Sequence, residues 1–484
     1  MKTLISNGTV VTPEGTLRAD LLMAEGRILA VGKNLAAGEG RDAAETVDAT
    51  DRLVLPGGVD AHTHITLDVD AVLGTDAYYT GTLPALAGGT TTIVDHMAFA
   101  PEGRFAATQL ALYHELADGR AAVDYAFHGV IQHRDENALR ALETFRENGI
   151  SSVKAYMTYA GRLDDAALLR FFRRCKELGL MALVHAEDHE CVENGRAACI
   201  AEGRLAPLWH ARSRPAECEA KAVARALALA AEAGDAPVYI VHLSTAQGLR
   251  AVQRARAAGQ KNVFAETCPQ YLCLTDACYQ DPEEGLRYIM APPLRSPEDV
   301  RALWAGLRDG DIQTVATDHC AFSLADKSRG RGDFTRCPGG APGLEERFLL
   351  MFSEGVAKGR ISLERFVELV CAGPARLMGL YPQKGALAPG SDADVVIVNP
   401  AARQRIRAAA LHGPGDYSIY EGALVEGGIE RVFLRGRTVY RDDRLADEPA
   451  IQGRFADGPS GQGRLTEGLA GQGRYIRRKP PPFE

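Results

Sequence analysis

No Cys-x-x-Cys pair occurs in the 484 residues, and the 10 cysteines are too scattered for a disulfide framework, so thiols, buried or at the surface, are the expected state. No stretch approaches the roughly 18 consecutive apolar residues that a spanning helix needs, which argues against a helical membrane protein. Basic charge is in short supply: 55 Lys and Arg face 63 Asp and Glu, a net charge of −8. Without a cationic surplus to neutralise phosphates, nucleic acid and anionic membrane are poor partners, and a small molecule is expected instead. The N-terminal segment breaks at Asn7-Gly8 before any apolar run forms, so no secretory leader is read there and a cytoplasmic location is expected. Phosphate-loop, nucleophile-elbow and His-Glu-x-x-His motifs are absent.

What is present is the composition of a globular protein, 46% hydrophobic and 24% charged. Between about Leu55 and Leu380, apolar segments alternate with amphipathic helical ones. Val59–His64, Thr91–His96, Val123–Gly129, Ser151–Met157, Met181–Glu187, Val238–Ser244, Asn262–Cys268 and Thr314–Cys320 are nearly continuous in apolar residues, as parallel strands buried on both faces are. Patterns such as Leu139–Asn148 and Ala220–Ala233 supply helices between them. Eight strand-helix units predict an α/β fold, a TIM (β/α)8 barrel over 55–384.

Residues 1–54 and 385–447 have a different texture. Short strands flank the turns at Asn7-Gly8 and Gly26 at one end; Asp392–Val398 and a hairpin about Arg435-Gly436 stand at the other. Neither set has enough strands for its own core, so the two are expected to join into one small β-sandwich domain. In 448–484, Gly and Pro abound and Gln-Gly-Arg recurs at 452, 462 and 472. A disordered extension and an ordered arm on a neighbouring subunit both fit; Tyr475 and Ile476, which solvent would waste, favour the arm.

Catalysis in such barrels sits at the C-terminal ends of strands. Here strand one ends His62-Thr63-His64, strand four carries Lys154, strand five His185, strand six His242 and strand eight Asp318. Residues two apart on a strand point to one face, so both imidazoles of strand one reach one ion. A lone strand-end histidine is usually structural, but four histidines and an aspartate at equivalent points indicate a metal centre. His96, His128 and His319 also lie at strand ends, and position alone does not separate them from the ligands. His210, in Trp209–Pro215, is read as a pocket residue.

Together with Pro56-Gly57-Gly58-Val59-Asp60, Gly88-Gly89-Thr90-Thr91, Val241-His242-Leu243-Ser244, the run Glu266–Leu272, Pro292-Pro293-Leu294-Arg295 and Thr317-Asp318-His319-Cys320, these residues resemble the cyclic amidohydrolases of the amidohydrolase superfamily. That group contains dihydropyrimidinase, hydantoinase, allantoinase and dihydroorotase. The resemblance covers almost the whole chain, and Ile93–Ala98, His128–His133 and Gly332–Pro338 are most similar to the bacterial D-phenylhydantoinase branch.

The resemblance implies hydrolysis of the cyclic imide of 5-substituted hydantoins to N-carbamoyl amino acids, with two divalent metal ions per chain, usually Zn2+. His62, His64 and Asp318 would hold one ion and His185 and His242 the other. Lys154 would bridge them as N6-carboxylysine, since a bare ammonium would face two dications. Asp318 would also act as general base, and Tyr159, in the Lys-x-x-x-x-Tyr pattern, would donate to the developing oxyanion. Relatives read the ring through backbone at positions occupied here by Ala291 and Gly339. A homotetramer is implied.

Dihydroorotase is disfavoured, because Thr66 stands where that enzyme places a cation for its substrate's carboxylate. The loop Ile65–Leu73 replaces a Pro-Phe-Gly-Gly-type segment, and Ile65, Leu67 and Val69 with Tyr156 are expected to accept an apolar or aromatic group at carbon five. Dihydropyrimidinase and allantoinase activities are the alternatives. A non-catalytic scaffold on a decayed barrel and a cysteine hydrolase at Cys320 are the readings from other classes.

Overall fold

Burial on both faces sets the centre of the fold. The computed structural model describes residues 2–69, 72–74, 76–98, 106–132, 136–446, 469–481 and 483. Eight strands, Gly58–Thr63, Thr90–His96, Asp124–Val130, Ser152–Tyr156, Met181–His185, Val238–Ile240, Val263–Thr267 and Thr314–Val315, lie side by side in chain order, all parallel. A parallel bridge between Thr63 and His319 returns the last segment to the first. There the Asp318 N–H donates to the His62 carbonyl (2.9 Å) and the His64 N–H to that of His319 (2.8 Å). The chain is a (β/α)8 barrel, as the eight-unit pattern predicts. Alternate strand residues, including Val59, Ala61, Val94, Ala126, Leu183 and Tyr239, form an inner apolar cluster, while Ile93, Phe127, Val153 and Val184 belong to the larger core under the helices.

The helix Asp165–Leu178 shows how sequence sets the outer layer. Asp164 caps it by accepting from the Ala167 N–H; Leu168, Phe171, Phe172 and Cys175 recur at helical spacing and are buried; Gly179, at φ 67°, stops it. The helices expected over 139–148 and 220–233 are Glu136–Glu147 and Ala216–Glu232. Strands six and eight end at Ile240 and Val315, short of the expected 244 and 320. His242 (φ 38°) and Asp318 (φ 54°) adopt left-handed backbone, which a strand does not accommodate.

Both chain ends share one nine-stranded mixed sheet. Lys2–Thr12 pairs with Gly15–Ala24, Glu45–Asp48 and Leu53–Pro56; the last of these pairs with Val395–Arg405, which continues to Leu424–Leu434 and Arg437–Arg441. Ile5, Val10, Leu21, Met23, Val54, Val395 and Phe433 form its apolar core. The turn expected at Asn7-Gly8 is a bulge inside a single strand: Asn7, at φ 62°, shifts the register between Ile5 and Gly8. A Cβ on Gly8 would stand 2.6 Å from Val54 Cγ2, so only glycine fits.

Of the terminal arm, 448–468 lie outside the described residues, and with them the Gln-Gly-Arg copies at 452 and 462. Residues 474–478 run along the barrel of their own chain: Tyr125 donates its N–H to Arg474 O (3.0 Å), and Ile476 its own to Tyr125 O (2.8 Å). Ile476 joins Met378 and Leu380 in the inner cluster, and the buried Arg478 guanidinium donates to the carbonyls of Phe127 and Met378.

One expectation about cysteine is corrected. Cys191 and Cys218 form a disulfide, with Cα atoms 5.6 Å apart, while eight other cysteines are free. The two sit in the first turns of helices His189–Ala201 and Ala216–Glu232, which a hydrogen bond from Asp188 N to Cys218 O (2.9 Å) brings together. At 27 residues apart they carry no motif. Among the described residues no helix is long and apolar enough to cross a membrane.

Candidate active site

The pleat of strand one aims His62 and His64 the same way, and the left-handed turn at Asp318 swings its carboxylate onto them. The two Nε2 atoms are 3.2 Å apart, and Asp318 Oδ1 lies 3.0 Å from that of His62 and 3.1 Å from that of His64. Ligands about 2.0–2.1 Å from a tetrahedral ion are separated by roughly 3.3 Å, so these three atoms have the spacing that one face of a coordination site requires. His62 Nδ1 lies 2.7 Å from Glu266 Oε1, an oxygen that also accepts the backbone N–H of His242 (3.1 Å). The Glu266 carboxylate can only accept, so Nδ1 keeps its proton and Nε2 is the nitrogen that faces the cluster and would ligate once its own proton is lost. Asp60 fixes the same corner by accepting from the backbone N–H groups of His62 (3.2 Å) and Thr317 (3.1 Å).

The second group adjoins the first. The rings of His185 and His242 are 4.6 Å apart and those of His62 and His242 5.6 Å. His185 Nε2 donates to Glu187 Oε2 at 2.9 Å, which leaves the lone pair of Nδ1 as the one that could ligate. Lys154 is buried, and among the described residues no hydrogen bond or ion pair reaches its Nζ, which lies 5.3 Å from the Tyr156 ring centroid. Tyr156 and Tyr159 flank the His185 ring at 5.7 and 5.2 Å.

Electrostatics separate these groups. Burial disfavours charge on His62, but the carboxylates of Glu266 and Asp318 outweigh it and push the imidazole up to about 9. Burial prevails at His64, which falls to about 4, and at His242, held well below the usual imidazole range. Asp318 would be raised by burial, yet His62 and the hydrogen bonds from His62 and His64 hold it well below the carboxylate range. Burial lowers Lys154 to about 8, against Asp318 and Glu266. Tyr159 is pushed up to about 12, burial outweighing the Arg214 cation.

The strand-end histidines that position alone leaves undecided are now distinguished. His128 uses both nitrogens, on Ser152 Oγ (2.6 Å) and Ala61 O (2.9 Å). His319 uses both as well, on Asp76 Oδ2 (2.7 Å) and the N–H of Gly343 (3.1 Å). His96 differs: its ring stands 4.3 Å from that of His62, its buried Nε2 has no hydrogen-bond partner among the described residues, and His62, His64 and His96 offer ligand atoms within 4.8 Å of one another. His210, read from sequence as a pocket residue, holds Met290 O at 2.7 Å, and burial takes it down to about 3. Cys320 is buried with its thiol raised far above the usual range, which speaks against a thiolate nucleophile.

Among the expected substrate contacts, Ile65 is fully buried in the main core, its N–H donating to Asp95 Oδ1 (2.9 Å). Leu67 is half-buried against Cys320 and Phe322, and residues 70 and 71 of that loop lie outside the described ones. Ala291 precedes a cis peptide to Pro292. Gly339 is exposed, and a Cβ there would meet nothing within 4 Å, so a side chain at this position would fit. Lys327, unremarked in the sequence, joins the two segments: its buried Nζ donates to the carbonyls of Ile289 (2.8 Å), Pro338 (2.8 Å) and Gly340 (2.5 Å).

The sequence model of the amidohydrolase family, whose members are metal-dependent, matches residues 53–439. D-phenylhydantoinase of Escherichia coli O7:K1 is 48% identical over 443 residues, 91% of this chain and 95% of the relative. Among solved structures, dihydropyrimidinase from Brevibacillus agri superposes with a TM-score of 0.92 at 39% identity over 100% of both chains. L-hydantoinase from Arthrobacter aurescens does so with 0.85 at 30%, over 98% of this chain and 99% of the other. Site geometry, family match and relatives agree, and the chain belongs to the amidohydrolase family, in its branch of hydantoinases and dihydropyrimidinases.

Proposed function

We propose that this hydrolase of cyclic amides opens 5-substituted hydantoins to N-carbamoyl amino acids at a binuclear centre. The observation that carries the reading is the meeting of His62 Nε2, His64 Nε2 and Asp318 Oδ1 within 3.0–3.2 Å of one another, beside the His185 and His242 pair and a buried Lys154 that makes no ion pair among the described residues. In this reading His62, His64 and Asp318 would hold one divalent ion, His185 and His242 the other, and Lys154, as N6-carboxylysine, would serve both. Zinc suits a set of imidazoles and carboxylates. When bound, the ions activate water and polarise the scissile carbonyl.

The chain's own groups do the rest. An Asp318 oxygen takes the proton of the attacking water and delivers it to the ring nitrogen as the C–N bond breaks. The Tyr159 hydroxyl donates to the oxygen that gains charge during attack. Backbone at Ala291 and Gly339 reads the imide, and Tyr156 and Leu67 take the substituent, with Ile65 supporting that loop from the core. Soluble assembly as a homotetramer in the cytoplasm completes the proposal; light scattering tests the assembly.

The deciding experiment is ring opening by the zinc-loaded enzyme on 5-phenylhydantoin, unsubstituted hydantoin, dihydrouracil and allantoin. Highest kcat/KM on 5-phenylhydantoin is expected. Preference for dihydrouracil would make the chain a dihydropyrimidinase, and preference for allantoin an allantoinase. One ion per active chain, or an unmodified Lys154 by mass spectrometry of the native loaded protein, would overturn the binuclear site.

A further inference from the structure

Tyr159 is held by a residue that neither the ligand set nor its strand-end logic includes. Arg214 ends the short helix Pro207–Ser213 and is buried, and its Nη2 donates to the Tyr159 hydroxyl at 2.9 Å. Among the described residues, that hydroxyl has no other hydrogen-bond partner. The same guanidinium grips Glu187 with two hydrogen bonds, Nε to Oε1 at 3.0 Å and Nη2 to Oε2 at 2.5 Å. Glu187 Oε2 in turn holds His185 Nε2 at 2.9 Å. Arg295 fixes the backbone by donating from Nη1 to the Arg214 carbonyl at 2.5 Å.

The direction of these bonds matters. A guanidinium has five donors and no acceptor, so the Tyr159 oxygen must accept from Arg214 and its single proton remains available. A carboxylate or carbonyl in the same place would consume that proton. We propose that Arg214 is a positioning residue for ring opening: it holds the Tyr159 oxygen as an acceptor, so that the phenolic proton is presented to the oxygen on which charge develops. This rests on the reading of Tyr159 as the oxyanion donor. The planar fork gripping Glu187 gives the angle a rigidity that a point-charge ammonium lacks, and Tyr159 itself is set by left-handed backbone at φ 70°. Through Glu187, the same guanidinium ties the proposed oxyanion donor to His185, so the distance between donor and metal-type ligand is fixed by one buried ion pair.

A double-mutant cycle on 5-phenylhydantoin, with bound metal quantified in each protein, tests the role. Arg214→Lys keeps a cation opposite Glu187, so the fold has no unpaired buried charge, but it cannot serve Glu187 and Tyr159 in the same geometry. Tyr159→Phe is expected to lower kcat by about 10² to 10³. Arg214→Lys is expected to lower kcat by about tenfold or more in the wild-type background and by less than about twofold in Tyr159→Phe, with KM and metal content little changed. Arg214→Gln, a second variant that keeps an N–H donor but removes the cation opposite Glu187, should show the same dependence on background at saturating metal, and metal content is judged in Arg214→Lys alone. Equal losses in both backgrounds, a loss confined to KM, or lost metal would overturn the role of Arg214 and leave that of Tyr159 standing. Unaltered turnover in Tyr159→Phe would remove Tyr159 from the mechanism, and this role of Arg214 with it.

Discussion

Glu266 Oε1 lies 2.7 Å from His62 Nδ1 and 3.1 Å from the backbone nitrogen of His242. One carboxylate oxygen therefore orients a residue from each of the two proposed ligand groups, while Tyr239 Oη secures its other oxygen at 2.8 Å. Glu266→Gln keeps the shape but presents either an N–H or a weaker acceptor to His62. Metal affinity should fall by about 10- to 100-fold, the usual scale for losing such an outer partner. Competition with a chelator measures it, and turnover should return in excess metal.

Metal uptake should depend on pH through His62. In the metal-free protein Glu266 and Asp318 overcome burial and hold this imidazole protonated up to about pH 9, whereas His64, at about 4, is already neutral. Binding requires the neutral ring, so between these values the ion must displace one proton from His62 and none from His64. Affinity for the ion at His62, His64 and Asp318 should weaken by about tenfold from pH 9 to 8 and at least as steeply below 8, where Lys154 must lose a proton as well. A constant affinity between pH 6 and 8 would show that His62 is neutral before metal arrives.

Asp318→Asn should retain part of its metal and lose nearly all turnover, since an amide oxygen still coordinates weakly but accepts no proton. Single-turnover kinetics at saturating zinc separate the two effects. Wild-type turnover at full occupancy would show that another group shuttles the proton.

Stability offers a separate test, at the base of the barrel. Lys384 Nζ is fully buried and bound to Asp124, Asp392 (2.9 Å) and Asp394 (2.8 Å). Lys384→Met would strand negative charge in the interior and should cost about 3–5 kcal/mol in denaturant unfolding. Without their cation these carboxylates would have raised pKa values in the folded state, which then binds more protons than the unfolded chain. The deficit should therefore shrink as pH falls from 7 towards 5. Arg435 also pairs with Asp124, and Arg27 with Asp392 (2.6 Å); a deficit independent of pH would mean that these two cations alone hold the carboxylates.

The barrel was legible because each strand is a nearly continuous apolar run, and the site because polar residues end those runs at equivalent points. His62 and His64 follow from the pleat alone. The supporting groups were harder to read, because a hydrogen bond leaves no trace in spacing: His62 and Glu266 are 204 residues apart, Tyr159 and Arg214 55. Glu266 stands at the end of strand seven and the strand-end rule, applied to carboxylates as well as imidazoles, would have nominated it. Arg214 stands four residues beyond His210, and no local signal distinguishes the cation from the ring. Strands six and eight stop short of their apolar segments for a related reason: Asp and His are among the residue types that tolerate left-handed backbone, but type alone does not say that His242 and Asp318 adopt it here.

The seating of Ile476 and Arg478 against the barrel, and the pairing of Leu53–Pro56 with Val395–Arg405, bear on how the protein is made. A ribosome delivers the barrel strands in order, yet the sheet joining the two chain ends stays incomplete until the segment from 395 emerges, and the inner cluster is unsealed until 474–478 follow. The nascent barrel thus spends its synthesis with a strand edge unpaired and apolar surface open, the condition in which chains associate wrongly. Yield in a cell should depend on chaperone capacity and growth temperature more than the finished protein's own stability would suggest.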